Sequence, residues 1–409
     1  MEKITLDITE MAHGGSAIGR ASRGRTIFVP LTIPGEKVRA QIVSQKNKYA
    51  QAELVQVLQA SPERVTPRCQ HFAVCGGCHF QHMSYEAQLA AKENVVRDQL
   101  ARLGGFKQAN VQATLPNSEP WAYQVEMVLS PVGNGCLGYW SPVKREVIPI
   151  EECPISRPEL VALLHDVELD LPGLRKLSLR VGDDEALLAA IEVDGVEPPE
   201  LEADFPISVA IVLPDKTAAS LVGDLYSVQQ VNGRDFRISP GVEMTPSPAG
   251  MKLVVETVLR YAALTGEENV IELYSGVGTL TAFLAEQAAE LVAVERNLDA
   301  VADLTANLDD LDNVNVFEGE VEDVLQLMPE EVDLMVAHPW ANGLSRKAMT
   351  AIIAAKPERL IYVSSDVATL ARDGRSLAKA GYQLAEVQPI DMQPQTFHIE
   401  TVSLWERND

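Results

Sequence analysis

The first sixty residues alternate apolar and polar positions over short runs: ITLDITEM, AIGRA, TIFVPLTI, KVRAQIVSQ and AQAELVQVLQ. A period of two is the mark of a half-buried strand, and AHGG and IPGE supply turn residues between runs. Short strands at this spacing predict a small β-barrel over residues 1–60. The alternation then gives way to SPERVTPRCQHFAVCGGCHFQHMSYEAQ, rich in Cys, His and Gly, followed by a helical stretch, YEAQLAAKENVVRDQLARL, at 85–103, which ends at Gly104-Gly105. Residues 106–240 read as an antiparallel region with strands VEMVLSPV, LGYWSP, KLSLRVG, ALLAAIEV, ISVAIVL and LYSVQQV, which together with the cysteine segment makes a central α+β domain over 61–245. From about residue 248 helices and strands take turns, beginning MKLVVETVLRYAAL, NVIELYSG, TLTAFLAEQA, LVAVERN and closing with two strands, YQLAEVQPID and IETVSLWE. Such alternation predicts a doubly wound, mostly parallel α/β sheet over 246–409, with its ligand beyond the carboxyl ends of the strands. Helix 85–103 is expected to pack on it.

Length and composition narrow the classes. At roughly 150 residues per domain, 409 residues accommodate about three domains. No run approaches the roughly 20 apolar residues that span a bilayer, so no membrane association is expected. The start, MEKITLDITEM, has no basic flank leading into an apolar run, which makes the cytoplasm the expected compartment. Five cysteines are too few for a disulfide scaffold and point instead to metal binding or chemistry. Charge is uneven: residues 1–105 hold 13 Lys+Arg against 9 Asp+Glu, net +4, and the remainder carries net −28. A phosphate backbone would therefore be held mainly by the N-terminal quarter, where Arg20, Arg23, Arg25, Lys37, Arg39, Lys46 and Lys48 lie in loops and strand ends.

Three constellations carry candidate chemistry. Cys69, Cys75 and Cys78, with Cys153 far downstream in EECPIS, can supply four thiolates; tetrahedral zinc and an iron–sulfur cluster both suit such a set. Cys136 is expected to pack as a small hydrophobe. IELYSGVGTLTAF places glycines between a strand and a helix start, and Glu295 in VAVERN ends the next strand about twenty residues on, positioned to accept the two hydroxyl hydrogens of a ribose. NAD and S-adenosylmethionine (SAM) both fit that picture, although GVGTLT lacks the third glycine of a dinucleotide loop. Near the C-terminus, YVSSDVATLARD and DMQPQTFHIETV stand beside the expected cleft, with Glu400 a candidate proton acceptor.

Together these segments make the chain resemble, from end to end, the RNA (uracil-C5)-methyltransferase family of the 23S ribosomal type, in which a TRAM barrel precedes a 4Fe–4S region and a SAM-dependent methyltransferase domain. AHGGSAIGR and TIFVPLTIPGE resemble the TRAM barrel, CQHFAVCGGCHFQHMSYEAQLAAK with CPI the cluster motif, LYSGVGT and VERN the SAM motifs. The resemblance implies RNA (rRNA or tRNA) bound through the barrel, cluster ligands Cys69, Cys75, Cys78 and Cys153, SAM contacts from Tyr274, Gly276, Gly278, Glu295 and Glu320, and Glu400 as general base. In that family a cysteine thiolate adds to uracil C6, the resulting enolate takes the methyl group at C5, and a glutamate removes the C5 proton.

This chain departs from the family at the residues closest to that reaction. Where the family reads SCNPATLARD it reads SSDVATLARD, placing Ser365 at the nucleophile position. The DPPR loop has become Ala337-His338-Pro339-Trp340, the FFQVN segment Glu243-Met244-Thr245-Pro246-Ser247, and YRNK Tyr123-Gln124-Val125-Glu126. The expectation is an RNA-binding member with lost or altered methyl transfer. The alternatives are an active methyltransferase with Glu400 as base and a cluster-based redox or assembly protein without an RNA role.

Overall fold

In the computed structural model, residues 2–20, 24–133, 135–167, 171, 173–195, 205–214, 217–328 and 332–408 are described; Arg23 lies outside them. Strands β1 (Lys3–Met11), β2 (Ala17–Arg20), β3 (Thr26–Val29), β4 (Lys37–Gln45) and β5 (Tyr49–Gln59) close a barrel in the order β1-β2-β3-β5-β4. β3 is shorter than its sequence run because Pro30 has no N–H to continue the ladder. Leu6, Ile27, Val29, Val38 and Ala40 fill the interior at alternate positions. Glu36, buried, receives the Arg64 guanidinium and the N–H groups of Ile33 and Ser61, which fastens the barrel to the segment that leaves it.

Helix α1 (Tyr85–Gln99) starts at Ser84, whose hydroxyl accepts from the Ala87 N–H, and ends in a wider π turn over Leu100–Gly104. Its Ala91, Val95, Val96 and Leu100 share one core with barrel residues and with the C-terminal domain. Lys92 on the same helix is fully buried and paired with Asp391.

The central sheet contains β6 (Glu126–Gly133), β7 (Cys136–Ser141), β8 (Glu146–Pro149), β9 (Leu174–Val181), β10 (Leu187–Val193), β11 (Ser208–Val212) and β12 (Ala218–Val222), ordered β12-β11-β10-β9-β6-β7-β8, with helix α2 (Pro158–Asp166) against it. It is antiparallel except where β11 runs parallel to β10. The strand expected at LYSVQQV does not join it: β13 (Ser227–Val231) forms a separate hairpin with β14 (Arg234–Ile238). The hairpin is held instead by the C-terminal domain, where buried Asp303 accepts from Arg237, the Ser239 N–H and the Ser239 hydroxyl. Cys136, expected to be packed, is exposed near the β6–β7 turn.

The C-terminal domain runs α3 (Pro248–Ala262), β15 (Asn269–Leu273), α4 (Thr279–Ala285), β16 (Glu290–Glu295), α5 (Leu298–Asn307), β17 (Val314–Glu318), α6 (Val321–Val324), β18 (Leu334–Ala337), α7 (Arg346–Ala355), β19 (Arg359–Ser364), α8 (Val367–Lys379), β20 (Tyr382–Ile390) and β21 (Glu400–Arg407). Its sheet has the order β17-β16-β15-β18-β19-β21-β20, parallel except for β21, which runs antiparallel to both neighbours. The strands are near-continuous apolar runs because helices cover both faces. Order reverses at β15, so a switch point opens between β15 and β18 at the carboxyl edge. The antiparallel β21 brings its first residue, Glu400, to this same edge. Among the described residues no helix is long and apolar enough to cross a membrane.

Candidate functional site

The carboxyl edge has two halves. In the first, β15, β16 and β17 end beside one another and bring Tyr274, Gly276, Gly278, Glu295 and Glu320 together. Tyr274 leaves β15 with φ +62, a left-handed conformation that costs a non-glycine residue energy. Gly276 (φ +56) and Gly278 (φ +88) continue the turn; a Cβ on Gly278 would stand 2.5 Å from Leu304 Cδ1, so α5 can approach only because that atom is missing. Glu295 Oε2 accepts the Gly276 N–H at 3.0 Å, and Oε1 accepts those of Arg296 and Asn297, both at 2.8 Å. A carboxylate has about four lone-pair directions, so one remains for a ligand hydroxyl. Glu320, the residue before α6, receives Arg296 at 3.1 Å on the open rim.

Beneath this loop lies a carboxyl that the sequence reading missed. Glu272 in β15 is buried, and burial pushes it up to about 8, against the Thr281 hydroxyl that donates to it at 2.6 Å. A carboxyl inside a strand that otherwise reads VIEL was the available signal: alternation gave it no exposed face to occupy.

The second half is formed by the ends of β18, β19 and β21. Pairing of Ser364 with Thr401 across β19 and β21 sets Ser365 and Glu400 side by side at the edge. Ser365 is exposed, and among the described residues no side chain hydrogen-bonds its hydroxyl. Asp366 caps α8 by accepting the Thr369 N–H at 2.8 Å and faces His13 of the barrel, 3.3 Å away; its carboxyl is held below the usual range because the His13 contact and backbone N–H groups outweigh partial burial. Burial pushes Glu400 up to about 8, and its Oε1 has no hydrogen-bond partner. His338 Nε2 lies 3.8 Å from that oxygen; desolvation drives the imidazole pKa down, so the ring is neutral at pH 7. Two residues on, Trp340 is 57% exposed.

The segment Asp391–Glu400 that delivers Glu400 is clasped from behind. Gln88 of α1 and Gln395 exchange two hydrogen bonds, at 2.9 and 3.0 Å, the His79 and Phe80 N–H groups both donate to the Gln395 carbonyl at 2.8 Å, and the Tyr123 hydroxyl donates to that of Pro394 at 2.9 Å. The barrel loop packs on its outer side, where a Cβ on Gly15 would meet Phe397 at 2.9 Å.

Cys69, Cys75, Cys78 and Cys153 line one cavity of about 460 Å³ between the central sheet and the 391–400 segment, and none is in a disulfide. Among the described residues no three Cys, His, Asp or Glu side chains gather closely enough to hold a single metal ion. Burial pushes Cys69 up to about 11 and Cys78 up to about 12, with neighbouring thiols adding to the rise. The wall also holds the buried Tyr139 hydroxyl and Gln81 Nε2, neither with a partner. Unpaired donors facing four thiols are the complement of sulfur acceptors, and the donor set fits a multinuclear cluster.

Comparison with known proteins places this architecture. The TRAM domain family matches residues 2–55, and the ribosomal RNA adenine dimethylase family matches 251–341. An uncharacterized RNA methyltransferase of Halalkalibacterium halodurans is 31% identical over 98% of this chain and 96% of its own length, and one of Thermosynechococcus vestitus is 32% identical over 98% and 97%. The chain belongs to this RNA methyltransferase family. A crystal structure of the Pyrococcus abyssi tRNA (uracil-54, C5)-methyltransferase in complex with S-adenosyl-L-homocysteine superimposes with TM-score 0.73, covering 98% of this chain and 100% of that one at 22% identity, which establishes a shared fold.

Glu126, where the family has the last residue of YRNK, is taken up inside the sheet, where Arg180 donates to it at 2.8 Å. Ser247 likewise has a structural task, capping α3 and receiving the Asn117 amide at 2.8 Å.

Proposed function

We propose that this chain is an RNA-binding, SAM-binding family member in which uracil-C5 methyl transfer is lost or altered. Ser365 carries the proposal. The adduct requires a nucleophile at the end of β19, and the residue there is an exposed hydroxyl that no side chain among the described residues hydrogen-bonds. A thiol ionises near 8.5, whereas a serine hydroxyl needs an adjacent base to react at all. Glu400 stands beside it, but burial raises its carboxyl and, among the described residues, no hydrogen bond joins it to the Ser365 hydroxyl.

SAM binding is supported by the intact first half of the edge. The turn through Gly276 and Gly278 admits a ligand close to the backbone, and Glu295 retains capacity for a ribose hydroxyl. The solved tRNA methyltransferase of the same fold holds S-adenosyl-L-homocysteine. RNA, rRNA or tRNA, would approach over the barrel, whose His13 loop touches the second half of the edge. In the cysteine cavity, Cys69, Cys75, Cys78 and Cys153 would hold a 4Fe–4S cluster, which supplies rigidity and redox capacity when bound; the residues themselves order the loop whose N–H groups grip Gln395.

The test is calorimetric SAM titration of the purified protein, combined with RNA binding measured against salt. The expected result is saturable SAM binding and an RNA affinity that falls with a steep log–log slope. Absence of SAM binding would remove the proposal.

A further inference from the structure

Two buried donors in the wall of the cysteine cavity go unused, and their surroundings say what they face. Gln81 is 2% exposed. Its Oε1 accepts the Cys69 N–H at 3.1 Å, which fixes the amide, because a backbone donor needs the oxygen opposite it. Nε2 is thereby turned to the cavity, where it faces the Cys78 sulfur without completing a hydrogen bond. Tyr139 on β7 is the second. Its buried hydroxyl has no partner, the neighbouring Ser156 hydroxyl makes no bond to it, and it lies among Cys153, Cys75 and Cys78. Backbone serves the other sulfurs in the same way: the His71 N–H is directed at that of Cys69 and the Gly77 N–H at that of Cys75. A buried donor without an acceptor costs its full desolvation, so two of them around four thiols are placed for sulfur.

Resting on the reading that these four thiolates hold a 4Fe–4S cluster, we propose that Gln81 and Tyr139 are hydrogen-bond donors to its sulfur and raise the potential at which it accepts an electron. Neither side chain is a ligand; each acts through sulfur. An added electron makes sulfur more negative, and a donor held in place bonds the more negative atom more strongly, so both favour the reduced form. Both are held in advance, Gln81 by its own bond to the Cys69 N–H and Tyr139 by the pairing of β7 with β8.

The full-length protein is purified without oxygen, its iron and acid-labile sulfide are measured, and it is titrated with dithionite and mediators while electron paramagnetic resonance reads the reduced fraction. Tyr139→Phe, which removes only the hydroxyl, and Gln81→Met are each expected to keep wild-type iron and sulfide. Each should shift the reduction equilibrium roughly 10-fold toward the oxidised form, about 59 mV lower for a one-electron couple. Side chains that merely pack leave the potential where it is. An unchanged or raised potential in Tyr139→Phe therefore overturns the inference, and the same result in Gln81→Met removes that residue from it. Gln81→Met also gives up the bond to Cys69, so if it loses its iron, Tyr139→Phe decides. A wild-type protein without iron and sulfide overturns the cluster reading and this inference with it, whereas SAM and RNA titrations of the same sample show whether the remaining reading stands.

Discussion

The two halves of one sheet edge have fared differently. At the ends of β15 and β16 the N–H groups of Ser275, Gly276 and Gly278 all have partners, and a single carboxylate, Glu295, accepts that of Gly276 together with those of Arg296 and Asn297. At the ends of β18, β19 and β21 the groups stand unpaired: a free hydroxyl on Ser365, an orphaned oxygen on Glu400, an exposed Trp340. A cofactor loop is shaped largely by its own backbone, so it tolerates little change without losing its form. An acceptor site is shaped by side chains on a scaffold fixed elsewhere, so its chemistry can change while the fold stays.

The strongest way to break this contrast is through the scaffold behind the acceptor half. Lys92→Met leaves Asp391 buried without its counter-charge and is expected to cost about 3–5 kcal/mol in urea unfolding. Lys92→Met with Asp391→Leu should recover most of that loss; if it does not, the clasp is not held by that ion pair. Next in size, Glu295→Ala is expected to weaken SAM binding by about 100-fold, the equivalent of roughly 3 kcal/mol, whereas Ser365→Ala leaves SAM affinity unchanged. Equal effects of the two would erase the distinction between the halves.

A pH series sharpens it further. Glu272 and Glu400 both have folded pKa values of about 8, raised from 4.5. The folded state therefore keeps a proton that the unfolded chain releases, so each contributes stability that is complete below about pH 4.5 and is lost as pH rises to 8. Glu400→Gln should flatten the fall in Tm between pH 5 and 8 by several degrees. Glu272→Gln should flatten it less cleanly, because the Thr281 hydroxyl it accepts must find a new arrangement. The smallest effect belongs to His13→Ala. Its contact with Asp366 is part-exposed, and loss of at most about 1 kcal/mol is expected, diminishing with added salt.

Much of this was legible in the chain. Period-two runs located all five barrel strands, and alternating helix and strand located the C-terminal sheet, because each element buries a face that its own residues announce. Glycines marked the tight turn after β15 for the same local reason. The 227–238 hairpin was misassigned to the central sheet because its partner is decided by Asp303, some seventy residues away. Glu126 and Arg180, the His13 contact with Asp366, and the nearness of His338 to Glu400 are all products of tertiary pairing across domains or strands. No local pattern carries them.

RNA containing 5-fluorouridine offers the most direct test, because the fluorine blocks release and a covalent enzyme accumulates as a conjugate stable to denaturing electrophoresis. With SAM bound, the wild-type chain is expected to form none. A stable conjugate that disappears in Ser365→Ala would contradict the account.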